Sequence, residues 1–259
     1  MIIDLHNHTS LCNHAEGSIE EYVQAALIKK IDIFGFSDHA PMNFDEAYRM
    51  GFSQMERYEK DVLNVKEKYQ DQIKILLAYE VDFLDGYIDE RVLNRSVDYF
   101  IGSVHYLGSW GFDNPEFIGE YRTQNIDEVW ERYFAAITAM AKSGLFDIVG
   151  HLDLIKLFNY LPKKDVRLIA KEAIKAIKKA NMAIELNAAG FRKPVGEQYP
   201  SNLLMELIAE HDIPITFGSD AHAVEHIGFV QEELRAIAKS FGYKKCATFE
   251  SRDRILVNF

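Results

Sequence analysis

The chain has 259 residues, 48% of them apolar, a formal net charge of -11 and only two cysteines, Cys12 and Cys246. That length suits one sizeable core, and α/β barrels commonly reach it as one domain, so residues 1–259 are expected to form a single domain. The acid excess and the lack of any Lys/Arg block argue against nucleic acid as partner, two cysteines exclude a disulfide scaffold, and no uncharged apolar run approaches the ~20 residues of a membrane span.

The opening MIIDLHNH carries no basic stretch followed by an apolar one, and the expectation is a soluble cytoplasmic protein with no membrane contact. MIIDLH reads as a strand, and His6 and His8, two positions apart, would present two imidazoles from one face. SIEEYVQAALIKK follows as a helix, announced by Ser18 and Glu21 at capping-box spacing. The strand IDIFGFS runs into Asp38 and His39, and the helix SQMERYEKDVLNVKEKY repeats the capping spacing with Ser53 and Glu56. IKILLAYEV carries Glu80 near its end, and VDYFIGSVH ends at His105. The helix DEVWERYFAAITAMAKSG stops at Gly144, FDIVGH leads to His151 and Asp153, and the helix DVRLIAKEAIKAIKKAN stops at Asn181. MAIELN holds Glu185 and Asn187, and IPITFGSD runs through Asp220 to His222. KKCATFE is either an eighth strand or a peripheral one. Apolar strands alternating with amphipathic helices are the mark of repeated βα units, without linkers or low-complexity segments between them.

Each candidate strand thus ends in metal-capable side chains. If the seven strands close into a barrel, those ends meet on the face where barrel enzymes place their chemistry. Six of the nine histidines fall at this one topological point, whereas independent structural histidines would scatter. Mixed imidazole and carboxylate donors suit Zn, Mn or Fe better than Ca or Mg. The donors exceed what one tetrahedral ion needs, so two or three divalent transition-metal ions sharing carboxylate bridges are expected.

DLHNHT, GFSDHAPM, IGSVHYL, GLFDIVGHLDLIK, IELNAAGFRKP and FGSDAH occur in that order, and with them the chain resembles the polymerase and histidinol phosphatase (PHP) family, in its monofunctional histidinol-phosphatase branch, almost end to end. The resemblance implies a distorted, TIM-like (βα)7 barrel with the metal site at the C-terminal ends of the strands. It implies one metal held by His6, His8, Glu80 and Asp220, a second by Glu80, His105 and His151, and a third by His14, His39 and His222. His14 enters only through the resemblance, since it lies in the loop SLCNHAEG, where Cys12 reads as a small filler residue. The implied activity is hydrolysis of L-histidinol phosphate to L-histidinol and phosphate, a step of histidine biosynthesis, by a metal-activated hydroxide. Arg192 is the expected phosphate grip, and Lys156 is either a second one or a solvated lysine.

Asp38 and Asp153 adjoin metal-candidate histidines, and either orient imidazoles or protonate the leaving oxygen. Glu185 and Asn187 contact substrate, support a ligand or cap the strand-to-loop turn. The loop HYLGSWGFDNPEF is a candidate substrate cover, in which Trp110 and Phe112 stack on an imidazole or anchor the loop. His211 and His226 are assigned to the surface. Other PHP-type phosphoesterases, a C–N hydrolase and a metal-binding module without chemistry are the competing functions. The expected partner is a small phosphomonoester, and the oligomeric state is left open.

Overall fold

The structure, a computed structural model, describes residues 1–259. Its strands in chain order are β1 (Ile3–Asp4), β2 (Ile33–His39), β3 (Lys74–Asp82), β4 (Tyr99–Ser103), β5 (Tyr106–Leu107), β6 (Trp110–Gly111), β7 (Ile148–Val149), β8 (Ala183–Asn187), β9 (Ile215–Gly218), β10 (Lys245–Glu250) and β11 (Asp253–Asn258). Seven form one parallel sheet in the order β1-β2-β3-β4-β7-β8-β9. Leu5 donates to Phe217 O at 2.8 Å, Asp220 to His6 O at 2.7 Å and His8 to Ala221 O at 3.0 Å, which joins the first strand to the last and closes a distorted barrel. Parallel strands buried on both faces read as continuous apolar runs, as in β2 and β3, whose side chains are almost all inside.

Helices α1 (Ile19–Ile28), α2 (Met55–Lys68), α3 (Glu90–Leu93), α4 (Ile126–Ser143), α5 (Val166–Lys179), α6 (Asn202–Glu210) and α7 (Gln231–Ser240) complete the fold. Ser18 caps α1 in the expected box, with Glu21 N donating to its hydroxyl and its own N–H reaching the Glu21 carboxylate at 2.7 Å. The second expected box does not form. A 3-10 turn over Phe52–Gln54 precedes α2, and Gln54 accepts from Gly51 N at 2.7 Å, leaving Ser53 inside the turn. α4 buries Val129, Trp130, Tyr133, Phe134, Ile137 and Met140 at helical spacing and stops at Gly144, in the left-handed region at φ 70°. Asn181 takes the same conformation, φ 58°, beyond α5.

KKCATFE is peripheral: β10 pairs antiparallel with β11 and lies across the N-terminal ends of the barrel strands. Thr216 donates to Ala247 O at 2.8 Å, and Arg252 reaches Asp147, just before β7, at 2.9 Å. One continuous apolar cluster of 72 buried residues fills the molecule, leaving the opposite, C-terminal end of the barrel to polar groups.

Candidate metal centre

Glu80 is the centre of the polar end. The parallel register of β2 and β3 sets His39 directly opposite it. On one side of its carboxylate, Oε2 lies 2.9 Å from His39 Nδ1, 3.4 Å from His6 Nε2 and 3.7 Å from His8 Nε2. On the other, Oε1 lies 2.9 Å from His151 Nε2 and 3.7 Å from His105 Nε2, and accepts from Ser103 Oγ at 2.6 Å. Burial alone would raise the Glu80 carboxyl, but the surrounding imidazoles, His6 first, hold it well below the ordinary carboxylate range.

β1 ends at Asp4, so His6 and His8 lie beyond it, in extended chain bridged to Ala221 through Asn7. The alternation of a strand persists there, and both imidazoles are fully buried and turned toward Glu80. Asp220 follows β9 in a left-handed backbone, φ 52°, and its Oδ1 lies 3.2 Å from His8 Nε2 and 4.0 Å from His6 Nε2. His222 stacks on His8 at 3.9 Å between ring centres, and His14 comes within 4.7 Å of His222 and 5.2 Å of His39. Three donor groups therefore have ligand atoms mutually within 4.8 Å: His6, His8 and Glu80; Glu80, His105 and His151; His14, His39 and His222. A fourth, His8, Cys12 and His222, includes the buried thiol, which burial keeps protonated.

A cation fits these groups on structural grounds. His6 Nε2, His39 Nδ1 and Glu80 Oε2 are all buried without a hydrogen-bond partner, although they face one another. Such unmet polar atoms each cost about 1–3 kcal/mol in a dry interior, and converging on one point they ask for a shared positive ion. Nitrogen and oxygen donors together favour a transition metal.

Behind the cluster, carboxylates grip the far sides of the rings. Glu185 Oε1 lies 2.8 Å from His6 Nδ1 while its Oε2 accepts from His151 N at 3.0 Å. Asp82 Oδ1 lies 2.5 Å from His105 Nδ1, and Arg49 Nη1 donates to Asp82 Oδ2 at 2.8 Å. Burial works against charge on His105, yet Asp82 and Glu80 raise it to about 10. Asp38 lies 3.4 Å from His8 Nδ1 and also takes the Thr9 hydroxyl and His39 N. Neither Asp82 nor Arg49 was among the sequence candidates, although Asp82 has the same two-residue spacing from Glu80 that singled out His6 and His8.

A cavity of about 660 Å³ opens over the cluster, a volume suited to a small ligand. Arg192 lines it; its Nη2 donates to Ser219 O at 2.8 Å and Asp220 O at 2.9 Å, and its Nη1 has no partner. Two other candidates, Lys156 and Asp153, are placed differently from expectation. Lys156, 1% exposed, spends its ammonium on Glu197 at 2.7 Å, Gln198 O at 2.7 Å and Asp153 at 3.1 Å, so it is neither a phosphate grip nor a solvated lysine. Asp153, fully buried, accepts from Ser201 N at 2.8 Å and bonds no imidazole; it does not line the cavity. Asn187 is fully buried too, donating to Asp220 Oδ2 at 3.2 Å and accepting from Ala189 N at 2.7 Å, the ligand-supporting and turn-capping roles among the three expected of it. Asp38 is equally enclosed and off the cavity wall, and its contact with His8 Nδ1 is the imidazole-orienting one of its two expected roles.

The loop after β4 does form a wall, through Tyr106, Asp113 and Phe117 among others. Trp110 and Phe112 anchor it, edge-on to Tyr121 at 4.7 Å and to Tyr133 at 5.4 Å, rather than stacking on an imidazole. Asp113 lines the cavity with its carboxyl raised by burial, and His226, assigned to the surface from sequence, lines it as well. His211 bonds Leu207 O at the end of α6, away from the site.

The model of the PHP domain matches residues 4–189, and that of the PHP-associated region matches residues 202–240. The chain is 41% identical over 233 residues to a probable histidinol-phosphatase of Deinococcus radiodurans, covering 88% of this chain and 89% of that one. It is 28% identical over 261 residues to the histidinol-phosphatase of Bacillus subtilis, covering 88% and 96%. Among solved structures, histidinol phosphate phosphatase from Lactococcus lactis, complexed with zinc, L-histidinol and phosphate, superposes with a TM-score of 0.81 at 21% identity over 98% of each chain, which shows the shared fold. A seven-stranded barrel with an imidazole-ringed carboxylate at its C-terminal end, matched by the domain model over most of its length, places the chain in the PHP family.

Proposed function

We propose that the protein is a metal-dependent histidinol-phosphatase, hydrolysing L-histidinol phosphate to L-histidinol and phosphate in histidine biosynthesis. The observation that carries the substrate is the 41% identity to the Deinococcus relative across nearly the whole of both chains. The site supports the reaction class, since nitrogen and carboxylate donors face a cavity into which an arginine also opens.

In this reading, His6, His8, Glu80 and Asp220 hold one divalent ion, Glu80, His105 and His151 a second, and His14, His39 and His222 a third. Bound Zn, Mn or Fe supplies Lewis acidity toward phosphate oxygens and lowers the pKa of water at the site. Glu80 joins two donor sets with one carboxylate and so fixes their spacing. Glu185, Asp82 and Asp38 hold His6, His105 and His8 in orientation. Arg192, its Nη2 pinned to the chain segment that carries Asp220, holds its Nη1 ready for a non-bridging phosphate oxygen. The enclosing loop after β4 limits access of bulk water.

The test supplies Mn or Zn and compares kcat/KM over a panel of phosphomonoesters that includes L-histidinol phosphate. Histidinol phosphate should lead the panel, and chelation should abolish release of phosphate. A nucleotide or phosphopeptide ahead by orders of magnitude would remove the biosynthetic assignment. Arg192→Ala should raise KM about tenfold or more, a loss of at least ~1.4 kcal/mol in substrate binding, while metal content stays at the wild-type level.

A further inference from the structure

We propose that His226 is a phosphate-binding residue, its imidazole forming with Arg192 the wall of the cavity that receives the phosphoryl group. The assignment rests on the phosphatase reading above and adds a donor to it. His226 closes a 3-10 turn, Val224–His226, that follows β9 and is held by His226 N to Ala223 O at 3.0 Å and Phe229 N to His226 O at 3.1 Å. The turn therefore fixes the backbone under the ring. The side chain is half-buried and lines the same cavity as Glu80 and Arg192, yet neither ring nitrogen is hydrogen-bonded to the chain, and Nδ1 is buried without a partner.

Arg192 alone is a poor match for a phosphoryl group. Two backbone carbonyls consume Nη2, and the guanidinium rests 5.3 Å from the centre of the Phe229 ring, which restrains it from swinging to offer a second face. One free amino group does not serve three non-bridging oxygens. The other cavity arginine, Arg49, is already committed to Asp82. Beyond the oxygens that bound metal would take, the phosphoryl group still calls for a fixed donor beside Arg192, and His226, with the exposed and flexible Lys193 next to it, lines the cavity there. Burial first, and then the charge of Arg192, lower its pKa, so the ring offers a neutral N–H that does not compete with Arg192 for charge.

Equilibrium binding of inorganic phosphate to the metal-loaded protein, followed by calorimetry, tests this directly. His226→Ala should weaken phosphate about tenfold, equivalent to ~1.4 kcal/mol, and raise KM for p-nitrophenyl phosphate more than it lowers kcat. His226→Asn, which keeps an N–H donor, should recover most of that affinity, and metal content should match wild type in both variants. A phosphate Kd for His226→Ala within twofold of wild type overturns the assignment. So does a loss of affinity that tracks loss of metal. Wild-type protein that binds phosphate through His226 but releases none from any ester would sink the phosphatase reading and leave the phosphate site standing.

Discussion

Glu80 makes the case for reading a site residue by residue. Five imidazoles surround one carboxylate, and each holds its place through a contact on its far side or in the next ring. Asp82 is the most exacting of those supports, because it bridges His105 and the buried Arg49. Asp82→Asn keeps the shape but removes the charge that both partners answer. The His105 ring loses its orienting anion, and Arg49 is left as a buried cation without a counter-ion, a defect of about 3–5 kcal/mol. Metal affinity should fall about 10- to 100-fold by competition with a chelator, together with a lower Tm. Unchanged affinity would show that His105 needs no such support. The strand-end imidazoles were legible because alternation sends every second side chain to one face. Arg49 was not, because it comes from the irregular stretch between β2 and α2, where no periodicity says which way a side chain turns. Lys156 and Asp153 misled for the complementary reason: polar groups beyond a strand end face either the cavity or the chain behind it, and spacing does not distinguish the two.

At the scale of elements, the seven barrel strands were legible in the apolar runs because a parallel strand is buried on both faces. Their ends were not. β1 and β7 each keep only two residues of regular pairing, although beyond β1 the chain stays extended through His6 and His8, bridged to Ala221 at Asn7. KKCATFE has the composition of a barrel strand, and only its pairing with β11 puts it outside. β9 carries a sharp constraint beside the cluster. A Cβ on Gly218 would lie 1.8 Å from Glu185 Oε1 and 2.6 Å from His6 Cβ, so the strand approaches its neighbours at a distance only glycine permits. Neither obstacle can retreat without cost, because Glu185 is holding His6 Nδ1 and His151 N. Gly218→Ala should therefore destabilise by about 1–3 kcal/mol and release metal as the carboxylate leaves His6. Thermal melts and metal analysis of the purified variant would show it, and wild-type metal content at a lowered Tm would mean that Glu185 yields without disturbing the cluster.

Over the whole molecule, the cluster is a store of charge whose protonation must change when metal enters. In the metal-free protein, burial opposes charge on His6, His8, His39, His105 and His222, but carboxylates overcome it at three. Glu185 and Glu80 raise His6, the Asp220 and Asp38 carboxylates raise His8, and Asp82 and Glu80 raise His105 to about 10. A raised histidine stabilises the fold fully below its ordinary value of about 6.5 and loses that contribution as pH climbs through its folded value. Burial and neighbouring imidazoles instead lower His39, to about 4, and His222, so these contribute above about 6.5 and the benefit is lost as pH falls toward 4. Metal-free protein should accordingly be most stable near pH 6.5 and weaken on both sides. A metal needs ring nitrogens without protons, so loading at neutral pH must expel protons from the raised rings. Affinity for Mn or Zn should then rise between about pH 6.5 and 10, roughly tenfold per pH unit for each proton released. A weakly buffered indicator assay at pH 7 to 8 should register acid on adding metal. Affinity flat across that range, with no acid released, would mean that the rings are already neutral and that the carboxylates do not set their protonation in the way the geometry requires.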